Sequence, residues 1–186
     1  LIPPSINKSA EIFSVKNGEI IYALGALKNV GAEAMKGIVD EREKSGAFSD
    51  IFDFASRVDL RKLGKRSLEM LVCAGVFDTF TDNRKSLTCS IEKLVDFSSV
   101  FFVEKESGQS SLFGSQNDPL PLPELKYLDE WSNSDRLRKE YDSVGFYLSS
   151  HPLDEFSHFM QSNNILQYSQ IENELISGPK LLKLSG

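Results

Sequence analysis

Ala23-Leu24-Gly25-Ala26-Leu27-Lys28-Asn29-Val30-Gly31-Ala32-Glu33-Ala34-Met35-Lys36-Gly37-Ile38 is the stretch on which the reading of the chain turns. Leu24, Leu27 and Lys28 predict a short helix that stops at Asn29-Val30-Gly31, and Ala34, Met35, Ile38, Val39 and Arg42 carry a second helix to Ser45-Gly46. A helix, a tight turn ending in Gly and a second helix opening with Ala form a helix-hairpin-helix pattern. Such a turn suits phosphate. Gly31 lets the backbone turn closely, and the amides opening the next helix, Ala32 first, are free and carry the positive end of its dipole. Lys28 and Lys36 add charge nearby. Contacts of this kind grip the backbone of a duplex and carry no base sequence. An ordinary helical hairpin closed by Gly fits the same residues. The first loop position, usually Gly, is Asn29, which tolerates left-handed geometry.

On the N-terminal side, Phe13-Ser14-Val15 and Ile20-Ile21-Tyr22 flank Lys16-Asn17-Gly18-Glu19, and Asn-Gly between apolar runs predicts a β-hairpin. On the C-terminal side, Ser49 is the expected N-cap of a third helix holding Ile51, Phe52, Phe54 and Ala55. A fourth helix is expected from Lys65 to Ala74, ended by Gly75. Asp82 or Asn83 would cap a long fifth helix through Leu87, Ile91, Leu94, Val95 and Phe101-Phe102. Residues 108–123, rich in Gly, Ser, Gln and Pro, read as an exposed loop. Helical periodicity returns over Ser134–Val144 and after Pro152, and Lys180-Leu181-Leu182-Lys183-Leu184 reads as the first strand of another domain.

The 186 residues hold 21 basic and 27 acidic side chains, a net charge of -6, which argues weakly against a protein that coats nucleic acid by bulk charge. The charge is unevenly spread. Residues 1–56 carry 6 basic against 8 acidic groups, residues 57–93 carry 8 against 5, and residues 94–186 carry 7 against 14. The basic block contains Arg57, Arg61, Lys62, Lys65 and Arg66 and leads into a helix ending at Ala74-Gly75, the outline of a second, degenerate hairpin unit. A solvated face reads equally from an isolated run. Two hairpin-like units with a basic excess between them tilt the reading towards DNA.

Several classes are excluded. No stretch approaches the roughly 18 apolar residues of a membrane helix, so no membrane partner is expected. The start lacks the basic and apolar regions of a signal peptide, which predicts a cytoplasmic chain, and lacks an initiator Met, which predicts a piece of something longer. Cys73 and Cys89 sit in apolar patterns and read as two reduced core thiols. With only His151 and His158 besides, a zinc site is not expected, nor any other metal or cofactor in this segment. Asp-x-Asp, P-loop, GxGxxG and GxSxG are missing from the sequence, and no catalytic residue is expected. In the polar loop, Gly108-Gln109-Ser110-Ser111-Leu112-Phe113-Gly114 places two large apolar side chains where a flexible peptide would dock into a partner's groove, or where a loop would pack onto its own domain.

The order of these blocks resembles the alpha subunits of bacterial DNA polymerase III, the C-family replicative polymerases. The resemblance runs through residues 1–7, 21–31, Phe48-Ser49-Asp50-Ile51-Phe52-Asp53-Phe54, 65–69, Ala74-Gly75-Val76-Phe77-Asp78, 108–114 and, most specifically, Gly145-Phe146-Tyr147-Leu148-Ser149-Ser150-His151-Pro152-Leu153-Asp154. It implies a non-catalytic segment of a DNA-directed DNA polymerase whose carboxylates lie upstream. It implies that Lys28, Asn29, Val30, Gly31, Ala32 and Lys36, helped by Arg61, Lys62, Lys65, Arg66 and Gly75, hold the primer-template duplex through its backbone. It also implies that Gln109, Ser110, Ser111, Leu112 and Phe113 bind the sliding clamp, the beta subunit, and that the rest of the polymerase chain is a partner. The expected architecture is mainly α. It has an extended or hairpin end of the fingers at 1–23, a tandem helix-hairpin-helix core at 24–106, a clamp-binding loop at 107–133, a helical linker at 134–179 and the opening strand of an oligonucleotide-binding barrel at 180–186. The rivals are a helix-hairpin-helix module of a repair nuclease or ligase, against which the Gly145–Asp154 block argues, and a protein–protein adaptor without DNA contact.

Overall fold

The computed structural model describes residues 1–107, 121–166 and 183–184. The chain divides into two compact units, Leu1–Ser149 and Ser150–Gly186. The fold is mainly helical with a small antiparallel hairpin at the N-terminal end.

The hairpin is local chemistry at work. Strands β1 (Ser14–Lys16) and β2 (Glu19–Ile21) pair antiparallel with Val15 opposite Ile20. Asn17 at φ 53° and Gly18 at φ 80° supply the two left-handed residues of a tight type I′ turn. Ile2 adds a single parallel bridge to Ile21.

The next element departs from expectation. Instead of a helix over Leu24–Lys28 there is one 3-10 turn, Leu24–Ala26. The amides of Leu24 and Gly25 donate to the carbonyls of Ala10 and Glu11 at 2.9 and 3.1 Å. The Lys28 amide, which a continuing α-helix would turn to the Leu24 carbonyl, donates instead to the Ser143 carbonyl at 2.8 Å, so the helix goes no further. Helix α1 (Ala32–Ser45) follows and ends at Gly46, φ 87°. Helix α2 (Ile51–Arg57) is capped by Asp50, whose carboxylate accepts from the Phe52 and Asp53 amides, rather than by Ser49. A short helix α3 (Leu60–Leu63), which periodicity did not disclose, is capped by Asp59 and precedes α4 (Lys65–Cys73). The expected fifth helix is two: α5 (Arg84–Cys89), capped by Asn83, and α6 (Ile91–Ser107). The break falls at Ser90, whose hydroxyl donates to the Ser86 carbonyl and accepts from the Lys126 amide of a distant segment. Helix α7 (Asn133–Val144), capped by Ser132, packs on α4 and so belongs to the first unit, although the sequence placed it in a linker.

The core of this unit joins Leu24, Met35, Ile38, Leu60, Leu68, Leu71 and Leu94 to a file of rings, Phe48, Phe54, Phe77 and Phe80, spaced 5.0 to 6.2 Å apart. Cys73 lies in that core, where burial pushes its thiol up to about 11; Cys89 is exposed, because α5 turns only Arg84 and Leu87 inward, which corrects the reading of two core thiols. Residues 121–132 form an extended strap across α5 and α6. Leu128 exchanges hydrogen bonds with the Ser86 hydroxyl and accepts one from Asn83, and Glu130 accepts from the Arg84 and Lys85 amides at the start of α5.

In the second unit, His151 opens a 3-10 helix (Pro152–Phe156) through a capping box with Asp154, and α8 (Ser157–Ser162) continues it. Strands β3 (Ile165–Leu166) and β4 (Lys183–Leu184) pair in parallel, so the end of the expected Lys180–Leu184 strand is extended; Lys180–Leu182 lie outside the described residues. No helix among the described residues is long and apolar enough to cross a membrane.

Candidate nucleic-acid interface

Two helices of the first unit begin differently from their neighbours. Helices α2, α3, α5 and α7 each carry a side-chain cap on their first amides, from Asp50, Asp59, Asn83 and Ser132. Helices α1 and α4 begin at Gly31 and Gly64 with no side-chain cap. A Cβ placed at either glycine would meet no heavy atom within 4 Å, so both glycines border open space. An uncapped start leaves amide donors in need of an acceptor and concentrates the positive end of the helix dipole.

The two starts are neighbours. The Ser67 hydroxyl, in the first turn of α4, donates to the Asn29 carbonyl of the hairpin loop at 3.2 Å. Asn29 takes the left-handed conformation at φ 60°, while Gly31 is extended at φ −81°; the turn is therefore made by Asn29, and what Gly31 contributes is clearance. Helix α4 also places Lys65 and Arg66 at its own positive end with no acidic residue in the first turn. Cations there oppose the dipole and favour an anion in front of the helix.

The other site residues fall as follows. Val30 packs partly buried on the core, Ala32 is the exposed first residue of α1, and Lys36 is exposed on its outer face. Lys28 is drawn the other way. Its amide donates to the Ser143 carbonyl at 2.8 Å, its Nζ reaches the Tyr141 carbonyl at 3.4 Å, and the ammonium lies 5.4 Å from the Tyr141 ring centroid. It serves the negative end of α7. The basic block is paired throughout: Arg61 and Lys62 with Asp59, Lys65 with Glu92 at 2.8 Å, Arg66 with Glu69 at 2.8 Å. The hydrogen bond from Lys65 holds the Glu92 carboxyl below its ordinary value and lifts the Lys65 ammonium above its own; Arg61 likewise lowers Asp59. Arg57 closes a structural clasp, stacked 4.2 Å from the Phe48 ring and bonded to Glu41 and Asp53.

Gly75 does not belong with the open glycines. At φ 79° it ends α4, and a Cβ there would lie 2.1 Å from a guanidinium nitrogen of Arg84. Arg84 is buried, grips Asp78 with two hydrogen bonds, donates to the Cys73 carbonyl at the end of α4, and approaches the buried Glu140 of α7 at 3.6 Å. Burial alone would lower the guanidinium; the Asp78 and Glu140 carboxylates outweigh it and raise its pKa. Glu140 in turn accepts from the Leu148 and Ser149 amides, which explains much of the Gly145–Asp154 block: Gly145, φ 103°, ends α7 and the following amides fold back onto its carboxylate. Gln109–Phe113 lie outside the described residues. The sequence reading missed Gly64 and Ser67, although Gly64 stands before Lys65 as Gly31 stands before Ala32.

A family model described as a helix-hairpin-helix motif matches residues 1–87, so the open helix starts sit in a module of the helix-hairpin-helix class. The chain is 36% identical over 184 residues to the DNA polymerase III subunit alpha of Caulobacter vibrioides, which covers 98% of the chain and 16% of that protein. The same subunit from Thermus aquaticus is 37% identical over 188 residues, covering 100% of the chain and 15% of that protein, and that from Vibrio cholerae 37% identical over 159 residues, covering 84% and 14%. The chain belongs to the family of DNA polymerase III alpha subunits, and spans 14–16% of the length of these relatives.

Proposed function

We propose that this segment holds the primer-template duplex by its phosphate backbone and carries the peptide that tethers the polymerase to its sliding clamp, and that it performs no chemistry itself. The observation that carries the duplex reading is the pair of adjacent, uncapped, unobstructed helix starts at Gly31 and Gly64, in a helix-hairpin-helix module. Backbone amides there offer an anion several donors at once, and neither start reads a base. Lys65 and Arg66 contribute charge, with Glu92 and Glu69 as the partners a phosphate would displace. The clamp reading rests on the sequence of Gln109–Phe113, with Gln109 as hydrogen-bonding group and Leu112 and Phe113 as apolar anchors. A tether of this kind raises residence by effective concentration, so each contact alone is weak. The wider setting, a cytoplasmic replicative polymerase whose active-site carboxylates lie elsewhere in the chain, comes from the family.

Duplex affinity, followed by fluorescence anisotropy, should fall steeply and linearly on a log–log plot as salt rises. Absence of binding at low salt, or binding indifferent to salt, would sink the duplex reading and favour an adaptor. Replacing Leu112 and Phe113 with Ala should abolish binding to the isolated clamp while helicity and duplex binding stay unchanged; retained clamp affinity would show the loop to be misread.

A further inference from the structure

We propose that the Ser67 hydroxyl is a positioning group: it holds the uncapped start of α1 beside the charged start of α4, so that the two take neighbouring phosphates of one duplex as a single site. The proposal rests on the duplex reading, and adds to it the bond that couples the two starts. Those starts are unequal. Helix α4 carries Lys65 and Arg66 in its first turn and no acid, whereas α1 carries Glu33 and no cation. An acid in the first turn answers the helix dipole and competes with an incoming anion. Lys28 gives α1 no help, since its ammonium lies over the Tyr141 ring and its Nζ reaches the Tyr141 carbonyl. Alone, α1 is the weaker anion site.

Its neighbour makes up the difference. Gly31 follows Asn29 by two residues, at most about 7 Å of chain. Lys65 precedes Ser67 by two, about 3 Å along the helix axis. With the Ser67 hydroxyl 3.2 Å from the Asn29 carbonyl, the separation of the starts is comparable with the Debye length, roughly 10 Å. The open amides of α1 thus lie in the field of the two cations of α4. Three successive residues of the hairpin loop are tied to different parts of the fold. The Lys28 amide donates to Ser143 near the end of α7, the Asn29 carbonyl accepts from Ser67, and Val30 packs on the core. Of the three, only the Ser67 bond joins one helix start to the other. Ser67 is the third residue of α4, where a hydroxyl could serve its own helix, yet it reaches back 38 residues. The bond is exposed, so breaking it strands no buried group and should leave the fold intact.

The test compares the full-length polymerase chain with its Ser67→Ala and Ser67→Thr variants, each titrated with duplex DNA over a range of salt. Ser67→Ala should weaken binding about fivefold, the worth of one hydrogen bond. It should also make the log–log salt slope shallower by about 1, one phosphate contact. Ser67→Thr, which keeps the hydroxyl, should match the wild type. Gly31→Asp should cost about tenfold in the wild-type chain but at most about twofold in the Ser67→Ala chain, where the α1 start has already dropped out. Unchanged affinity and slope in Ser67→Ala, a Thr variant as weak as the Ala variant, or independent effects at Ser67 and Gly31 would overturn the proposal. A Gly31→Asp chain that binds duplex as the wild type does would instead count against the duplex reading itself.

Discussion

Gly31 and Asp50 stand at the same position of two helices and do opposite things. Asp50 spends its carboxylate on the Phe52 and Asp53 amides, and Gly31 leaves the amides of α1 to whatever arrives from outside. Because Gly31 is extended and faces open space, a side chain can be added there without strain. Gly31→Asp should supply the missing cap and stabilise α1 by roughly 0.5 kcal/mol. The same carboxylate would repel a phosphate, and duplex affinity should drop by about tenfold, a coupling typical of a single close charge pair. Thermal melting and anisotropy, measured on one preparation, should thus move in opposite directions; a variant less stable and weaker together would mean a structural glycine. The sequence disclosed that Gly31 mattered but not why. It assigned to Gly31 the turn that Asn29 makes, because residue type alone does not report φ.

At the scale of elements, Arg84 does for five segments what no periodicity could announce. It joins the end of α4, the Asp78 loop, the start of α5 and Glu140 of α7, with Leu148 and Ser149 bound to the far side of that carboxylate. Arg84→Met should cost about 3 kcal/mol, because it leaves a buried carboxylate without its counter-charge. The urea midpoint should fall accordingly, and Glu140→Gln in the same chain should recover part of the loss by removing the orphaned charge. No recovery would place the cost in lost packing. Elements made by neighbouring residues were legible: the Asn17-Gly18 hairpin, the stop of α1 at Gly46, the stop of α4 at Gly75. Those set by partners far along the chain were not. The 3-10 turn at Leu24 is cut short by the Lys28 amide's bond to Ser143, and the division of α5 from α6 is held by Lys126. Lys65 read as available charge because Glu92 lies 27 residues away, whereas the partners of Arg61, Lys62 and Arg66, Asp59 and Glu69, stand close by in sequence.

On the scale of the whole molecule, both candidate helix starts, the Arg84 network and the aromatic core lie within Leu1–Ser149. A chain ending at Ser149 should therefore melt in one transition at an unchanged midpoint and keep the salt dependence of duplex binding; a broadened or lowered transition would mean that the second unit supports the first. The uneven charge also finds its place here. The acidic excess belongs to residues 94–186, away from the Gly31 and Gly64 starts in sequence, so the net charge of -6 says little about the surface around them.

The strap over α5 and α6 bears on how force would travel. It holds α5 and α6 together at the Ser90 break and leads directly into α7. The Ser90–Lys126 and Ser86–Leu128 hydrogen bonds tie the strap to α5 and to the break that follows it. A pull on the strap from its Pro121 end would be met by the bonds at Lys126 and Leu128 before it reached α7, which begins at Asn133.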